Sequence, residues 1–321
     1  MSHELEMVNG MAQMAYAGDT PWHRLGVKVS NDLTPLEMMD KAVLNWEVHK
    51  HDLMIAGLDV KVPGKQALLR STDNKFMDVI GDDWQPVQNA NAFEFFTEFV
   101  TAGDMEMNTA GSLKGGRNVW ALAKVKESFT ILGKDQIDSY LLFSNPHQYG
   151  KAIDIRFTPI RVVCNNTLTM SLNGKSKNQV KLNHRSTFDA ETVKQTLGIA
   201  HNKFAEYKEM AELLASKKYK PDTLVEYYNE VFPHTYSKDV VVKGIDDLTK
   251  TAKTAIEVIQ TQPGAELGAG SWWAAFNAVT YLTDHKMGRS DDSRMDSAWF
   301  GINQSRKIKA AELAVKFAKA A

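Results

Sequence analysis

The stretch that decides the fold is residues 105–125, which read MEMNTAGSLKGGRNVWALAKV. Apolar residues recur on both sides of a reversal formed by Lys114-Gly115-Gly116. A glycine-rich reversal between two such runs is typical of a β-hairpin, because glycine reaches the positive φ angles that tight turns need. Residues 105–111 and 117–125 are therefore predicted to form two antiparallel strands.

Further strands and helices are predicted on either side of this hairpin. The residue spacing in 89–100 predicts a helix with Phe93, Phe96 and Val100 on one face, and 34–46 is a second predicted helix. The other predicted strands of this half are residues 66–71, 76–80, 139–144 and 153–163.

The pattern becomes mostly helical after residue 188. Residues 191–217 carry an apolar stripe that steps alternately by four and three: Val193, Leu197, Ala200, Phe204, Tyr207, Ala211 and Leu214. This spacing is typical either of a long helix packed on the protein's own core or of an intermolecular coiled coil. Ser271 is placed to cap a helix that contains Trp272 and Phe276, and residues 305–319 are the last predicted helix.

These patterns predict an α+β fold, with an antiparallel sheet and helices in the N-terminal half and a helical C-terminal region. Two regions are predicted: residues 1–188, an α+β core that includes a basic segment, and residues 189–321, mainly helical and packed on the same core or separate from it.

Composition excludes several classes of protein. The chain has 321 residues, 43% of them hydrophobic, which excludes wholesale disorder. It has 38 basic and 39 acidic residues, so a globally basic coat for nucleic acid is excluded. There is no apolar run of 18 residues, so no membrane span is expected. With a single cysteine, Cys164, the chain is predicted to be cytoplasmic.

The common catalytic motifs are missing. The sequence has no phosphate-binding P-loop, no dinucleotide fingerprint, no H-E-x-x-H or C-x-x-C motif and no nucleophile elbow. No catalytic residue, no cofactor and no metal site is therefore assigned.

The strongest local feature is the distribution of charge. Residues 151–188 contain seven basic residues and one acidic residue, Asp154, for a net charge of +6, and the rest of the chain carries −7. Such a segment can bind phosphates and release their counterions, and it can equally be a solvated surface loop. Its basic residues are Lys151, Arg156, Arg161, Lys175, Lys177, Lys181 and Arg185.

Residues 156–167 add side chains suited to nucleic acid. Arg156 and Arg161 flank Phe157, and arginine can grip phosphate while an aromatic ring stacks on a base. Asn165 and Asn166 offer hydrogen bonds to sugar or base edges. Trp22 is a second candidate for stacking, and the alternative is that it docks an N-terminal arm onto the protein.

Several motifs resemble the phage- and plasmid-borne family known as domain of unknown function 932. The resemblance runs through the chain in collinear order and is most specific in the central run. In this family Ser-His-Asp-Gly is frequent where this chain has Pro146-His147-Gln148-Tyr149. The matching segments are 21–26 (PWHRLG), 111–113 (GSL), 116–117 (GR), 144–147 (SNPH), 158–168 (TPIRVVCNNTL), 277–280 (NAVT), 284–285 (DH) and 299–301 (WFG).

The resemblance implies an origin in bacteriophages, prophages or plasmids, whose proteins often handle DNA. We therefore expect a single-stranded DNA-binding and annealing protein of recombination or replication, without ATP, that forms a homo-oligomeric ring or filament in the host cytoplasm. The alternative is a phage factor that binds a host protein in takeover or anti-defence. The third hypothesis is a metal-dependent nuclease that uses His23, His147 or Asp284-His285.

Overall fold

The computed structural model describes residues 6–8, 11–18, 26–151, 153–161, 166–167, 170–171, 190–235, 240–288 and 291–321. Their contacts divide the chain into two units. The first unit consists of Met1–Lys126, Tyr140–Phe157 and Ser171–Ala200, and the second of Glu127–Ser139, Thr158–Met170 and His201–Ala321. The predicted boundary between residues 188 and 189 lies outside the described residues.

The strands fall in the first 171 residues, as predicted. The described strands are β1 (Met7–Val8), β2 (Met11–Ala12), β3 (Met14–Ala17), β4 (Val27–Val29), β5 (Val48–Ile55), β6 (Val60–Arg70), β7 (Phe76–Gly81), β8 (Met105–Leu113), β9 (Asn118–Ile131), β10 (Asp135–Pro146), β11 (Asp154–Arg161), β12 (Asn166–Thr167) and β13 (Met170–Ser171).

These strands form one large sheet and two smaller ones. The large sheet has the order β12-β11-β10-β9-β8-β3-β4, and β13 also pairs with β11. Strands β5, β6 and β7 form a separate antiparallel sheet. Most of the pairing is antiparallel, as predicted, and the β3–β4 pair is parallel.

The hairpin predicted from residues 105–125 is confirmed. Strand β8 pairs with β9 in antiparallel register, from Met105 opposite Val125 to Leu113 opposite Asn118. Gly116 has a φ of +88°, and a Cβ atom there would lie 2.9 Å from Nη1 of Arg70. Glycine is therefore required at this point of the turn both by the backbone and by the neighbouring side chain.

The helices are concentrated in the C-terminal region, as predicted. The described α-helices are α1 (Pro35–Lys41), α2 (Asn89–Glu94), α3 (Thr97–Ala102), α4 (Ala190–Ser216), α5 (Pro221–Val231), α6 (Lys250–Thr261), α7 (Trp272–Tyr281), α8 (Asp291–Phe300) and α9 (Ile302–Ala320). Among them, none combines the length and the apolar character needed to cross a lipid bilayer.

The single helix predicted over 89–100 is wrong, because the chain breaks between α2 and α3. Phe95 and Phe96 lie at the break, and both are buried. Both rings pack near Phe143, with centroids 5.6 and 6.0 Å away. Consecutive residues of one helix point about 100° apart, so a break lets both rings reach the same core.

The second unit packs its core around α7 and the buried face of α4. Phe204, Tyr207, Ala211 and Leu214 of the predicted stripe are buried within this unit, and the Phe204 ring lies 5.1 Å from that of Phe129. The interpretation of the stripe as a helix on the protein's own core is therefore confirmed for these residues. The side chain of Ser271 accepts a hydrogen bond from the Ala274 amide, which confirms the predicted cap of α7.

Candidate nucleic-acid interface

The described part of the basic segment lies at one edge of the large sheet. Strand β11 leads into it, and β12 is the terminal strand in the sheet order. The pairing of these strands sets Arg161 opposite Asn166, so two of the predicted binding residues are direct cross-strand partners.

Arg156 is bound to the acidic residue of its own segment. Its Nε atom donates to Oδ2 of Asp154 over 2.6 Å, and both side chains are more than four-fifths buried. Burial raises the pKa of the Asp154 carboxyl, while Arg156 favours its charged form. The charge of Arg156 is thus balanced within the strand by Asp154, and its contact with phosphate stays a prediction.

Phe157 is fully buried, which contradicts its assignment as a base-stacking residue. The reason is the alternation of a strand: Ile153, Ile155 and Phe157 point into the core, while the side chains of Asp154 and Arg156 between them keep 17% and 14% of their area exposed. The alternation of apolar and charged residues in the sequence was the signal that could have predicted this burial.

The remaining predicted binding residues lie outside the described residues. They are Trp22, Asn165, Lys175, Lys177, Lys181 and Arg185. His23, one of the residues of the nuclease hypothesis, is also outside them.

His147 lies in a buried polar cluster of the first unit. It is fully buried, and its Nε2 atom lies 3.0 Å from Oδ1 of Asn89. The same oxygen is 3.5 Å from Nδ2 of Asn145, which also donates to the carbonyl of Val87. The Trp46 ring packs 5.2 Å from the imidazole. The contact joins the residue that follows β10 to the first residue of α2, and buried polar groups of this kind fix the elements whose atoms they bind.

Asp284 forms a buried ion pair in the second unit. Its Oδ1 atom accepts from Nζ of Lys307 over 2.6 Å, and the two side chains are 7% and 0% exposed. Burial lowers the pKa of the Lys307 ammonium, although Asp284 favours its charged form. Asp284 belongs to a π-helical turn, Leu282–Lys286, that follows α7 directly. The pair therefore connects this turn to α9.

The described ranges contain no group of three or more histidine, cysteine, aspartate or glutamate side chains arranged to hold a metal ion. The nuclease hypothesis therefore gains no ligand cluster from that part of the chain.

A comparison with models of protein families shows to which family the chain belongs. The model of a domain of unknown function, DUF932, matches residues 76–299. The chain belongs to the DUF932 family. No curated protein and no solved structure matches it.

Several residues that carry the DUF932 resemblance meet in the first unit. Ser112 donates to Glu6, whose carboxylate also binds Arg70 beside Gly116. The carbonyl of Arg117 accepts from the amide of His147. A hydrogen bond thus joins the segments 116–117 and 144–147 of the resemblance, and Glu6 and Arg70 connect Ser112 with Gly116.

Asn89 and Lys307 were not among the residues that the sequence suggested. Asn89 is 58 positions from His147, and Lys307 is 23 positions from Asp284. Neither residue belongs to a local sequence pattern that indicates its hydrogen-bonding partner. Only the tertiary fold brings them together, so no signal in a single sequence could have found them.

Proposed function

We propose that this DUF932 protein binds single-stranded DNA and anneals complementary strands, without ATP, in phage or plasmid recombination or replication. The observation that carries the proposal is the charge of residues 151–188. Since Arg156 and Asp154 bind each other, the segment keeps six other basic residues and no other acidic residue. A segment of this kind neutralises phosphates, and the release of counterions supplies much of the affinity.

The edge of the large sheet supports the same proposal. Strand edges and their asparagine side chains supply hydrogen-bond donors that position a phosphate backbone without reading sequence. Arg161 and Asn166 stand opposite each other at this edge, immediately before the lysine-rich part of the segment. Binding independent of base sequence is what an annealing protein needs.

Annealing requires two strands to be held together, so the proposal includes a homo-oligomer, a ring or filament, on the DNA. The alternative, a factor that binds a host protein, loses one of its arguments. Its support included the stripe of α4, and four residues of that stripe are buried within the second unit.

The test is the triple substitution K175E/K177E/K181E, measured by fluorescence anisotropy with a labelled single-stranded oligonucleotide across a salt series. We expect the wild type to bind tightly, to weaken steeply with salt and to prefer the single strand over the duplex. The variant loses binding at physiological salt. At low salt its log–log salt slope is smaller by about 2, because each lost single-strand phosphate contact removes roughly 0.7.

A matched control tests whether DNA binding depends on the charge of the basic segment or on the total charge of the protein. Lys134, Lys243 and Lys250 are exposed lysines outside the basic segment, and K134E/K243E/K250E changes the total charge by the same amount. The control variant should keep most of the affinity. Equal loss in both triple variants would remove the basic segment from the proposal, and negligible binding by the wild type at low salt would end it.

A further inference from the structure

The sheet formed by β5, β6 and β7 has one face in the core and one face open to solvent. Its core face is made by Val48, Leu68, Arg70, Met77 and Ile80, all nearly fully buried. The pairing register places His49 opposite Leu69 and His51 opposite Ala67 on the other face. Leu69 in turn stands opposite Phe76, and Ala67 opposite Val79. This second face, the open face, runs across all three strands. Ala67 at its centre is buried, and its exposed residues are His49, His51, Lys65, Phe76 and Val79.

An aromatic ring stands on this open face at the start of β7. Phe76 is 46% exposed and Val79, further along the same strand, is 38% exposed. In a strand with one buried face, an exposed phenylalanine on the other face covers no core. About half of its surface is therefore accessible to a ligand.

A second ring covers the other end of β7. Tyr149 is 55% exposed, and its Cε2 atom lies 3.8 Å from the position that a Cβ would take on Gly81. Its backbone amide donates to Asp78 over 2.9 Å, which holds the loop in place. The Nζ atom of Lys65, the cross-strand partner of Gly81, lies 5.2 Å from the centre of the Tyr149 ring.

The cation that this face offers to a phosphate is Lys65, which the register places on the face opposite Gly81. His49 and His51 share the face, and the Glu47 carboxylate lies 3.4 Å from the His49 imidazole. Asp52 and Asp78 pair with residues of the core face, Gln66 and Leu68.

We propose that the open face of the β5–β6–β7 sheet, with Phe76, Tyr149 and Lys65, is a base-stacking platform for single-stranded nucleic acid. The inference rests on the proposed function and supplies the stacking surface that the buried Phe157 cannot provide. Sequence-tolerant single-strand binders combine aromatic rings with nearby cations in this way. Phe76 and Gly81 are the two ends of the six-residue strand β7. At roughly 3.3 Å for each step along a strand they are far enough apart for two bases to stack without sharing a ring.

Stacking on such a platform suits annealing. A base that lies flat on an aromatic ring leaves its Watson–Crick edge free, because the ring contacts the face of the base and not its hydrogen-bonding atoms. Lys65 can meet a phosphate beside the Tyr149 ring, where it already lies over the π-face. The strand is then held with its pairing edges presented to a complementary strand.

The test compares F76A/Y149A with the wild type on two oligonucleotides of equal phosphate count, one normal and one fully abasic. We expect the variant to bind the normal oligonucleotide at least about fivefold more weakly for each ring removed. Its affinity for the abasic oligonucleotide and its salt slope stay unchanged, because no phosphate contact is lost. The variant F76L/Y149L, which keeps apolar volume, should show the same loss.

Controls separate stacking from unspecific effects. Leu58 and Ile302 are 67% and 69% exposed, so L58A/I302A removes comparable exposed apolar surface elsewhere and should leave binding unchanged. Because Phe76 and Tyr149 are exposed, the thermal melting of F76A/Y149A should stay close to that of the wild type. Photocrosslinking with a bromouracil-substituted oligonucleotide should label the peptides that contain Phe76 or Tyr149.

The outcomes distinguish this inference from the proposed function. If the wild type binds with a steep salt dependence and F76A/Y149A binds equally well, the platform is wrong and the proposed function stands. If the wild type does not bind single-stranded DNA, both the proposed function and the proposed stacking platform are wrong. If F76A/Y149A instead loses self-association in light scattering and keeps DNA affinity, the face binds a second copy and the platform is overturned.

Discussion

At the scale of the residue, the pair of Asp284 and Lys307 is the most consequential interaction of the second unit. Taking an ammonium and a carboxylate out of water costs several kcal/mol for each ion, and their attraction offsets this cost only when the geometry is good. The 2.6 Å contact meets this condition. The pair stabilises one arrangement of the π-helical turn against α9, and removing one partner leaves the other charge buried.

The substitution K307M tests this arrangement. We expect it to lower the free energy of unfolding by about 3–5 kcal/mol, because the buried Asp284 carboxylate then loses its 2.6 Å contact with the Lys307 ammonium. Urea unfolding followed by circular dichroism measures the change. The control is K316M, since Lys316 pairs with Glu230 at the surface, where both side chains are largely exposed. It should cost less than about 1 kcal/mol, and an equal effect of both substitutions would contradict the prediction.

The same lysine predicts a dependence on pH. Burial holds the pKa of Lys307 below the value of 10.5 for an unburied lysine. Between the lowered pKa and 10.5 the unfolded chain therefore binds more protons than the folded protein, so the contribution of Lys307 to stability rises with pH. Unfolding midpoints measured from neutral pH towards 10.5 should rise for the wild type relative to K307M. Parallel curves for the two proteins would show that the buried ammonium does not titrate in this range.

At the scale of the element, the sequence predicted the central hairpin, but not the strands β3, β4 and β5 or the break between α2 and α3. The hairpin of β8 and β9 was predictable because its turn needs glycine and its strands are continuous. The break between α2 and α3 was not predictable, because it depends on contacts of Phe95 and Phe96 with Phe143, a residue of β10.

The candidate site shows the same difference between what a local pattern predicts and what tertiary packing decides. The charge of the basic segment can be counted from the sequence, whereas the ion pair of Arg156 and the exposure of Phe76 depend on tertiary packing.

The cap of α7 gives a prediction at this scale. Ser271 is buried, and its hydroxyl oxygen accepts from the Ala274 amide over 3.3 Å. The substitution S271A should lower the free energy of unfolding by about 1 kcal/mol, within the range of roughly 0.5–2 known for lost caps. The control is T254A, since the Thr254 hydroxyl in α6 bonds the carbonyl of Lys250 one turn earlier and caps nothing. It should be close to neutral, and thermal unfolding of both variants would show the difference.

At the scale of the whole molecule, the uneven charge matters more than the net charge of −1. A chain with +6 in one segment and −7 elsewhere can attract phosphates locally and still resist coating by nucleic acid as a whole. Binding would then depend on several copies that each contribute one basic segment. The proposed homo-oligomer follows from this argument.

Light scattering after size exclusion tests this proposal. We expect the protein bound to a long single strand to have a mass of several multiples of 35.9 kDa, and K175E/K177E/K181E to form no such complex. One copy on each oligonucleotide at every length and concentration would exclude a ring or filament.

The position of β3 sets when this strand can join the sheet. Ala15 pairs with Ala110, so β3 must wait until β8, which is translated after it, has left the ribosome. The hairpins that join β8, β9 and β10 are local, and local pairings close fastest. A strand that is translated before β8 is therefore among the last to join the sheet, and during that interval the unpaired side of β8 is an edge that a nascent neighbour can occupy.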